Sequence, residues 1–224
     1  MNNNNIAIDG HSSCGKGTLA KYLAKSLRFK FIDTGSMYRA ITYAIQKTGI
    51  EITDLDAIKS ILAAELIQFK YSKLNRALKI YFKKKNIDKE IRMPAVSSMV
   101  SQVSELAVVR SYLVNLQRKM AEKGNVVMDG RDIGTFVLPD AKLKIFMTAS
   151  IEIRAKRRHK ELTDAGIDVP YEQILENISY RDKTDSNREI NPLRQAEGAY
   201  LLDNTQLSVA EQNKIVLAWA KKSL

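Results

Sequence analysis

The apolar run Ile6-Ala7-Ile8 and the leucines at 19, 23 and 27, spaced as on one face of a helix, enclose a glycine-rich segment. That segment, Asp9 to Thr18 (DGHSSCGKGT), meets the pattern G-x-x-x-x-G-K from Gly10 to Lys16. A short buried strand, a glycine loop and an amphipathic helix in this order constrain the chain more than any other feature. The glycines let the loop turn back so that its backbone N–H groups converge on one anion. The helix starting near Gly15 adds the positive end of its dipole, and Lys16 adds a full charge for the outer phosphates of a nucleoside triphosphate. The competing reading is a plain strand-to-helix turn with a surface lysine. The flanking strand and helix favour the phosphate loop.

After Lys16 comes Gly17, where the stricter motif has a hydroxyl that binds magnesium; here the hydroxyl is one position later, on Thr18. Phosphoryl chemistry implies Mg2+ with the triphosphate, and no protein side chain is assigned as its ligand. His11 has no catalytic partner in view. Cys14 is expected to contribute its backbone N–H rather than its thiol. It is the one cysteine in the chain, which rules out an intrachain disulfide and fits a reducing cytoplasm.

With 224 residues the chain suffices for one substantial core carrying inserted lobes. The start, Asn2–Asn5, is expected to fray and does not resemble a signal peptide, and no apolar run approaches membrane-spanning length. Strand-like runs at Phe29–Ile32, Asn125–Met128, Leu143–Met147 and Tyr200–Leu202 alternate with helical stretches. The last helix opens on a capping pair, Ser208 and Glu211. This alternation predicts an α/β fold with three layers and a parallel sheet. Three short runs, Leu66–Tyr71, Ala77–Phe82 and Asn86–Ile91, interrupt it and predict an inserted small antiparallel sheet.

The formal charge of +11 admits nucleic acid, an acidic membrane surface or phosphorylated small molecules as partners. Its location separates them. Asp33-Thr34-Gly35-Ser36-Met37-Tyr38-Arg39 lies at a strand end and helix start, where Thr34 can donate a hydrogen bond and Arg39 can clamp a phosphate. Asp33 or Thr34 also suits a helix cap there. Asp129-Gly130-Arg131-Asp132-Ile133-Gly134 follows a strand; its carboxylate can hold the waters of magnesium, and Arg131 with Asp132 suits either a polar substrate pocket or a structural ion pair. Residues 154–160 carry five Lys/Arg in seven, with Arg154 and Arg158 on one helical face. Arg181, Asp185 and Arg188 share another face. Beside a phosphate loop, such arginines suit a closing lid that neutralises a transferring phosphoryl group and excludes water. Nine Lys/Arg within 70–92 have no such role and read as a solvated surface.

Six stretches, GHSSCGKGT, DTGSMYR, Ser101-Gln102-Val103 with Arg110, DGRDIGT, RAKRR and RDKTDSNR, occur in the order and at the spacing of a known family. Along nearly its whole length the chain resembles the bacterial cytidylate kinases. The three-strand insertion resembles the extra element of the bacterial enzymes, which the eukaryotic type lacks. Thr34 stands where the family often has serine, and His11 and Cys14 where it more often has proline and alanine.

The resemblance implies an adenylate-kinase-like core (residues 1–36, 104–150 and 189–224), an acceptor lobe (37–103) and a helical lid (151–188). It implies ATP-dependent phosphorylation of CMP and dCMP in pyrimidine nucleotide metabolism, by a monomer that uses neither nucleic acid nor membrane. The run from Gly10 through His11, Ser12, Ser13 and Cys14 to Gly15, Lys16, Gly17 and Thr18 would hold the ATP phosphates. Arg39, Arg131 and Arg188 would hold the acceptor phosphate, with Thr34 beside them. Ser101, Arg110 and Asp132 would read the cytosine edge, Arg181 and Asp185 the ribose, and Arg154 and Arg158 would come from the lid. The rivals are a related kinase acting on UMP or another small acceptor, and a nucleic-acid-stimulated NTPase. A GTPase is disfavoured because the guanine-reading Asn-Lys-x-Asp is absent.

Overall fold

A computed structural model describes residues 4–72, 74 and 77–224. The strands are β1 (Ile6–Gly10), β2 (Lys30–Asp33), β3 (Ile67–Ser72), β4 (Ala77–Phe82), β5 (Lys85–Asn86), β6 (Val126–Gly130), β7 (Leu143–Thr148) and β8 (Tyr200–Asp203). The helices are α1 (Lys16–Leu27), α2 (Thr34–Thr48), α3 (Leu55–Ala63), α4 (Pro94–Glu105), α5 (Ala107–Ala121), α6 (Ile151–Asp164), α7 (Tyr171–Asn187) and α8 (Val209–Ser223).

All five residues of β1 and all five of β6 are buried, as strands covered on both faces must be. The sheet runs β3-β4-β2-β6-β1-β7-β8, with β5 on β4. From β2 to β8 every pairing is parallel. Two apolar layers cover it. Met37, Ile41 and Ile45 of α2 with Leu113 of α5 fill one side, and Leu19 and Leu23 of α1 with Val216 and Ala220 of α8 fill the other. Helices α6 and α7 pack on each other through Ala155, Leu162, Ile174 and Ile178, a small core of their own. The capping box of Ser208 and Glu211 is formed at the start of α8.

The chain leaves β1 toward β2 on one side, while β7 flanks β1 on the other, so a crevice opens above the carboxyl ends of the central strands. The turns after β1, β2, β6 and β7 all meet there. Gly10 is obligatory at this edge: its φ is 147°, and a Cβ would lie 2.0 Å from the carbonyl oxygen of Met147.

The insertion differs from its sequence reading in two ways. Its hairpin is antiparallel as expected, but β4 also pairs in parallel with β2 at Phe31 and Ala77, so the insertion extends the main sheet. Ile80 and Phe82 bury their side chains in the same apolar layer as α2, which draws β4 against the sheet edge. The expected third strand over Asn86–Ile91 shrinks to β5, followed by a 3₁₀ turn at Glu90–Arg92. Ile87 and Ile91 are both buried at helical spacing, and Asp88 accepts from the Ile80 N–H and the Lys79 ammonium. Those side-chain bonds compete with a longer ladder.

Candidate active site

A cleft of about 320 Å³ lies over the strand ends, bordered by the loop after β1, the start of α2, α4, the end of β6 and helices α6 and α7. Its phosphate-loop end is built mainly from backbone. Ser13 (φ 60°) and Gly15 (φ 96°) are left-handed, the alternation that makes an anion-binding nest. Both line the cleft, with Ser12, Lys16, Gly17 and Thr18. The buried Lys16 ammonium donates to the His11 carbonyl oxygen at 2.5 Å and lies 3.6 Å from Cys14 Sγ. Burial, then the charge of Arg131, pushes its pKa down. The His11 ring packs edge-on against Phe146, and Cys14 is fully buried.

Two buried carboxylates support this end. Asp9 accepts from the N–H groups of Ile133 and Gly134, each at 2.7 Å, which pins the turn after β6 to β1. Burial raises its pKa to about 6 against those two bonds. Asp129 sits at the end of β6, and burial and the charge of Asp33 raise it to about 7. Its Oδ1 is buried with no hydrogen-bond partner among the described residues. A Cβ on Gly17 would lie 3.8 Å from its Oδ2. A carboxylate at the strand end with Oδ2 toward Gly17 of the loop fits a hydrated Mg2+ beside the phosphates.

The other end is built from side chains. Asp33 caps α2 by accepting from the Ser36 N–H at 2.8 Å, and it also accepts from Arg92 at 3.1 Å. Burial alone would raise its pKa, but Arg39, Arg92 and Ser36 outweigh that and hold it at about 2. Thr34 donates to the Asp129 carbonyl oxygen at 2.7 Å, tying the start of α2 to the end of β6. Arg39 lines the cleft beside them. Asp132 is paired with Arg110 and lies 3.6 Å from Arg188. The buried Ser101 hydroxyl and Tyr38 hydroxyl have no partner among the described residues, and both residues border the same cleft.

Arg131 donates through Nε to Asp185 at 2.6 Å. Arg181 lines the cleft, and burial and the neighbouring Arg131 lower its pKa to about 9. Arg188 is not on the helical face expected for it, because α7 ends at Asn187. It turns back instead, donating to the Asn191 carbonyl oxygen at 2.6 and 2.8 Å and facing Asp132.

The two arginines expected to come from a lid separate. Arg158 lines the cleft and donates to the Arg92 carbonyl oxygen at 3.1 Å. Arg154 lies buried under the loop, donating to Ala149 O, Ser12 O and Asp182. Sequence reasoning gave no role to Asp9, Tyr38, Arg92, Asp182 or Asn204. Asp9 stood inside the loop motif, Tyr38 inside DTGSMYR and Asp182 inside RDKTDSNR; Arg92, read as part of a solvated basic surface, instead borders the cleft and bonds Asp33, and Asn204 carried no signal of its own.

A cytidylate kinase family model matches residues 6–222. The chain belongs to the cytidylate kinase family. A cytidylate kinase from Carboxydothermus hydrogenoformans is 47% identical over 206 residues, covering 92% of each chain. One from Phocaeicola vulgatus is 47% identical over 215 residues, 93% of each. One from Bacteroides fragilis is 45% identical over 222 residues, 98% of this chain and 97% of that one.

At the level of fold alone, the chain is similar to two more distant solved structures. One is an uncharacterised protein from Eubacterium ventriosum, with a TM-score of 0.55 and 13% identity over 98% of this chain and 99% of that one. The other is a gluconokinase from Sinorhizobium meliloti, with a TM-score of 0.50 and 14% identity over 98% and 93%. The fold is the α/β architecture with a largely parallel sheet that the sequence predicts, and membership of the cytidylate kinase family makes this chain a transferase of the nucleoside monophosphate kinase class.

Proposed function

We propose that the protein transfers the terminal phosphoryl group of ATP to CMP and dCMP, giving ADP and the corresponding diphosphate. The observation that carries this is Asp132, buried between Arg110 and Arg188 in the same cleft as the phosphate loop. A carboxylate held there accepts from the exocyclic amine of cytosine and meets an unfavourable carbonyl in uracil. The Ser101 hydroxyl, without a partner among the described residues, supplies a further contact to the ring edge.

The loop from Gly10 to Thr18 holds the ATP phosphates with its N–H groups, and Lys16 turns from His11 O to the outer phosphates. Arg39, Arg131 and Arg188 hold the acceptor phosphate, and Arg181 with Asp185 holds the ribose. Mg2+, when bound, screens the β- and γ-phosphates, with Asp129 ordering its waters. An acceptor oxygen, already anionic, attacks the γ-phosphorus in line, so no side chain has to remove a proton. Arg158 reaches the reacting phosphates from the cleft side of the lid. Arg154 acts from beneath the loop.

In this reading residues 1–36, 104–150 and 189–224 form the core, 37–103 the acceptor lobe and 151–188 the lid. The enzyme works as a cytoplasmic monomer. No helix among the described residues is long and apolar enough to cross a membrane.

A coupled ADP-release assay across CMP, dCMP, UMP and AMP tests this reading. Turnover should be fastest with the two cytosine nucleotides. Equal turnover with UMP would contradict the cytosine assignment.

A further inference from the structure

The phosphate loop is left-handed at Ser13 and Gly15, two residues that line the cleft, and at Ser13, which is not a glycine, this is strain. Left-handed backbone at a residue other than glycine persists only where the surroundings over-determine it. The surroundings here are specific. The carbonyl before each left-handed residue is taken by a side chain from elsewhere: Ser12 O by Arg154 Nη1 at 3.3 Å, and Cys14 O by Asn204 Nδ2 at 2.9 Å. In a trans peptide the C=O and N–H point in opposite directions. Holding those two oxygens therefore turns the N–H groups of Ser13 and Gly15 away from Arg154 and Asn204 and into the cleft.

Asn204 is 2% exposed, and its amide is fully used. Besides Cys14 O, its Nδ2 donates to Gln212 Oε1 at 2.8 Å. Its Oδ1 and its own carbonyl oxygen each accept from Arg157 at 3.0 Å. Arg157 stands on α6, one turn along from Arg154, so this helix grips both left-handed peptides, one directly and one through Asn204. The arginine run thus divides by function along the helix: Arg158 faces the cleft, while Arg154 and Arg157 face the back of the loop.

We propose that Asn204, fixed by Arg157, is a positioning residue for the nucleoside triphosphate. It sets the Cys14–Gly15 peptide so that the Gly15 N–H meets phosphate, and it couples that peptide to the lid. The proposal rests on the reading of the loop as the ATP site. Its test needs no acceptor, so it stands or falls separately from the assignment of CMP.

The test is calorimetric binding of the non-hydrolysable β,γ-imido analogue of ATP, of inorganic tripolyphosphate and of CMP to three proteins: wild type, Asn204→Asp and Arg157→Ala. Asn204→Asp keeps oxygens for Arg157 but replaces the donor that holds Cys14 O. It should weaken the analogue and tripolyphosphate alike by about tenfold, the scale of one lost buried hydrogen bond, with CMP affinity within about twofold of wild type. Arg157→Ala keeps the donor and loosens only its support, so about a threefold loss in the same two ligands is expected. Because Arg157 is only half-buried, that variant carries the test if Asn204→Asp does not fold.

Three results would overturn the proposal. One is normal affinity for both phosphate ligands, whatever happens to the melting temperature. Another is an equal loss of CMP binding. The third is a loss for the analogue but not for tripolyphosphate, which would make Asn204 a contact to the base. A wild type that binds the analogue and fails to phosphorylate CMP would sink the acceptor assignment and leave this one intact.

Discussion

In the proposed reading, the two ends of the cleft solve the same problem, binding phosphate, with different material. At the loop end the donors are main-chain N–H groups, and Lys16 is the one loop side chain that supplies charge. At the proposed acceptor end the donors are arginines: Arg92, Arg110 and Arg131 are paired with Asp33, Asp132 and Asp185, and Arg181 is buried with its Nε unpartnered among the described residues. Their titration differs accordingly. Asp9 and Asp129, under the loop, are pushed up to about 6 and about 7 by burial. Asp33 is held at about 2, and Asp185 is also lowered, because arginines outweigh the cost of burying them. The carboxylates under the loop are governed by burial, and those at the other end by the arginines around them.

Four substitutions can break or sharpen this contrast. The largest effect is expected for Lys16→Ala, which removes the loop's full charge; turnover should fall on the order of a thousandfold. Near-normal turnover would remove the loop from the chemistry. Next comes Asp129→Asn, which should slow turnover while raising stability above pH 7. The wild-type group has a folded pKa of about 7, above its unfolded 3.8, so its ionisation costs stability progressively as pH rises through that window. Urea unfolding at pH 5 and pH 8 measures the difference, and a variant less stable than wild type at pH 8 would contradict it.

Asp33→Asn has the opposite sign. Its folded pKa of about 2 lies below the unfolded 3.8, so its contribution is complete above about pH 4 and is lost as pH falls through 2. The variant should lose about 2 kcal/mol at pH 6 and converge with wild type near pH 2. The smallest effect belongs to His11→Ala. The loop uses this residue's backbone, so the KM for ATP should rise by no more than about twofold, whereas one lost charge-assisted bond would cost about tenfold.

The same contrast explains what could be read in advance. A backbone mould is written locally: the glycine spacing, the strand before it and the leucine stripe after it specify the loop within some twenty residues. The parallel sheet followed from apolar runs alternating with helical stretches. A side-chain pocket is written in pieces. Arg110 and Asp132 are 22 residues apart, and Arg131 and Asp185 are 54 apart. Nothing local announces that they meet, and only the order of motifs shared with a known family brought them together.

Three features escaped for related reasons. The grip of Asn204 on Cys14 spans 190 residues and involves an asparagine with no pattern around it. Arg154 and Arg158 share a helical face, yet one meets the Ser12 carbonyl and the other the cleft, a difference that depends on where α6 crosses the loop. The insertion reads as a separate sheet because periodicity reports strands and not their neighbours; the burial of Ile80 and Phe82 against α2 makes it part of the main one.

The central claim is that base selection resides in the side-chain end of the cleft and phosphate grip in the backbone end. Asp132→Asn tests it most directly, through kcat/KM for CMP and for UMP in wild type and variant together with the KM for ATP. An amide at this position can donate to the uracil carbonyl, so the CMP-to-UMP ratio should fall by about tenfold or more while the KM for ATP stays within about twofold. An unchanged ratio, or a loss shared equally between ATP and CMP, would contradict the account.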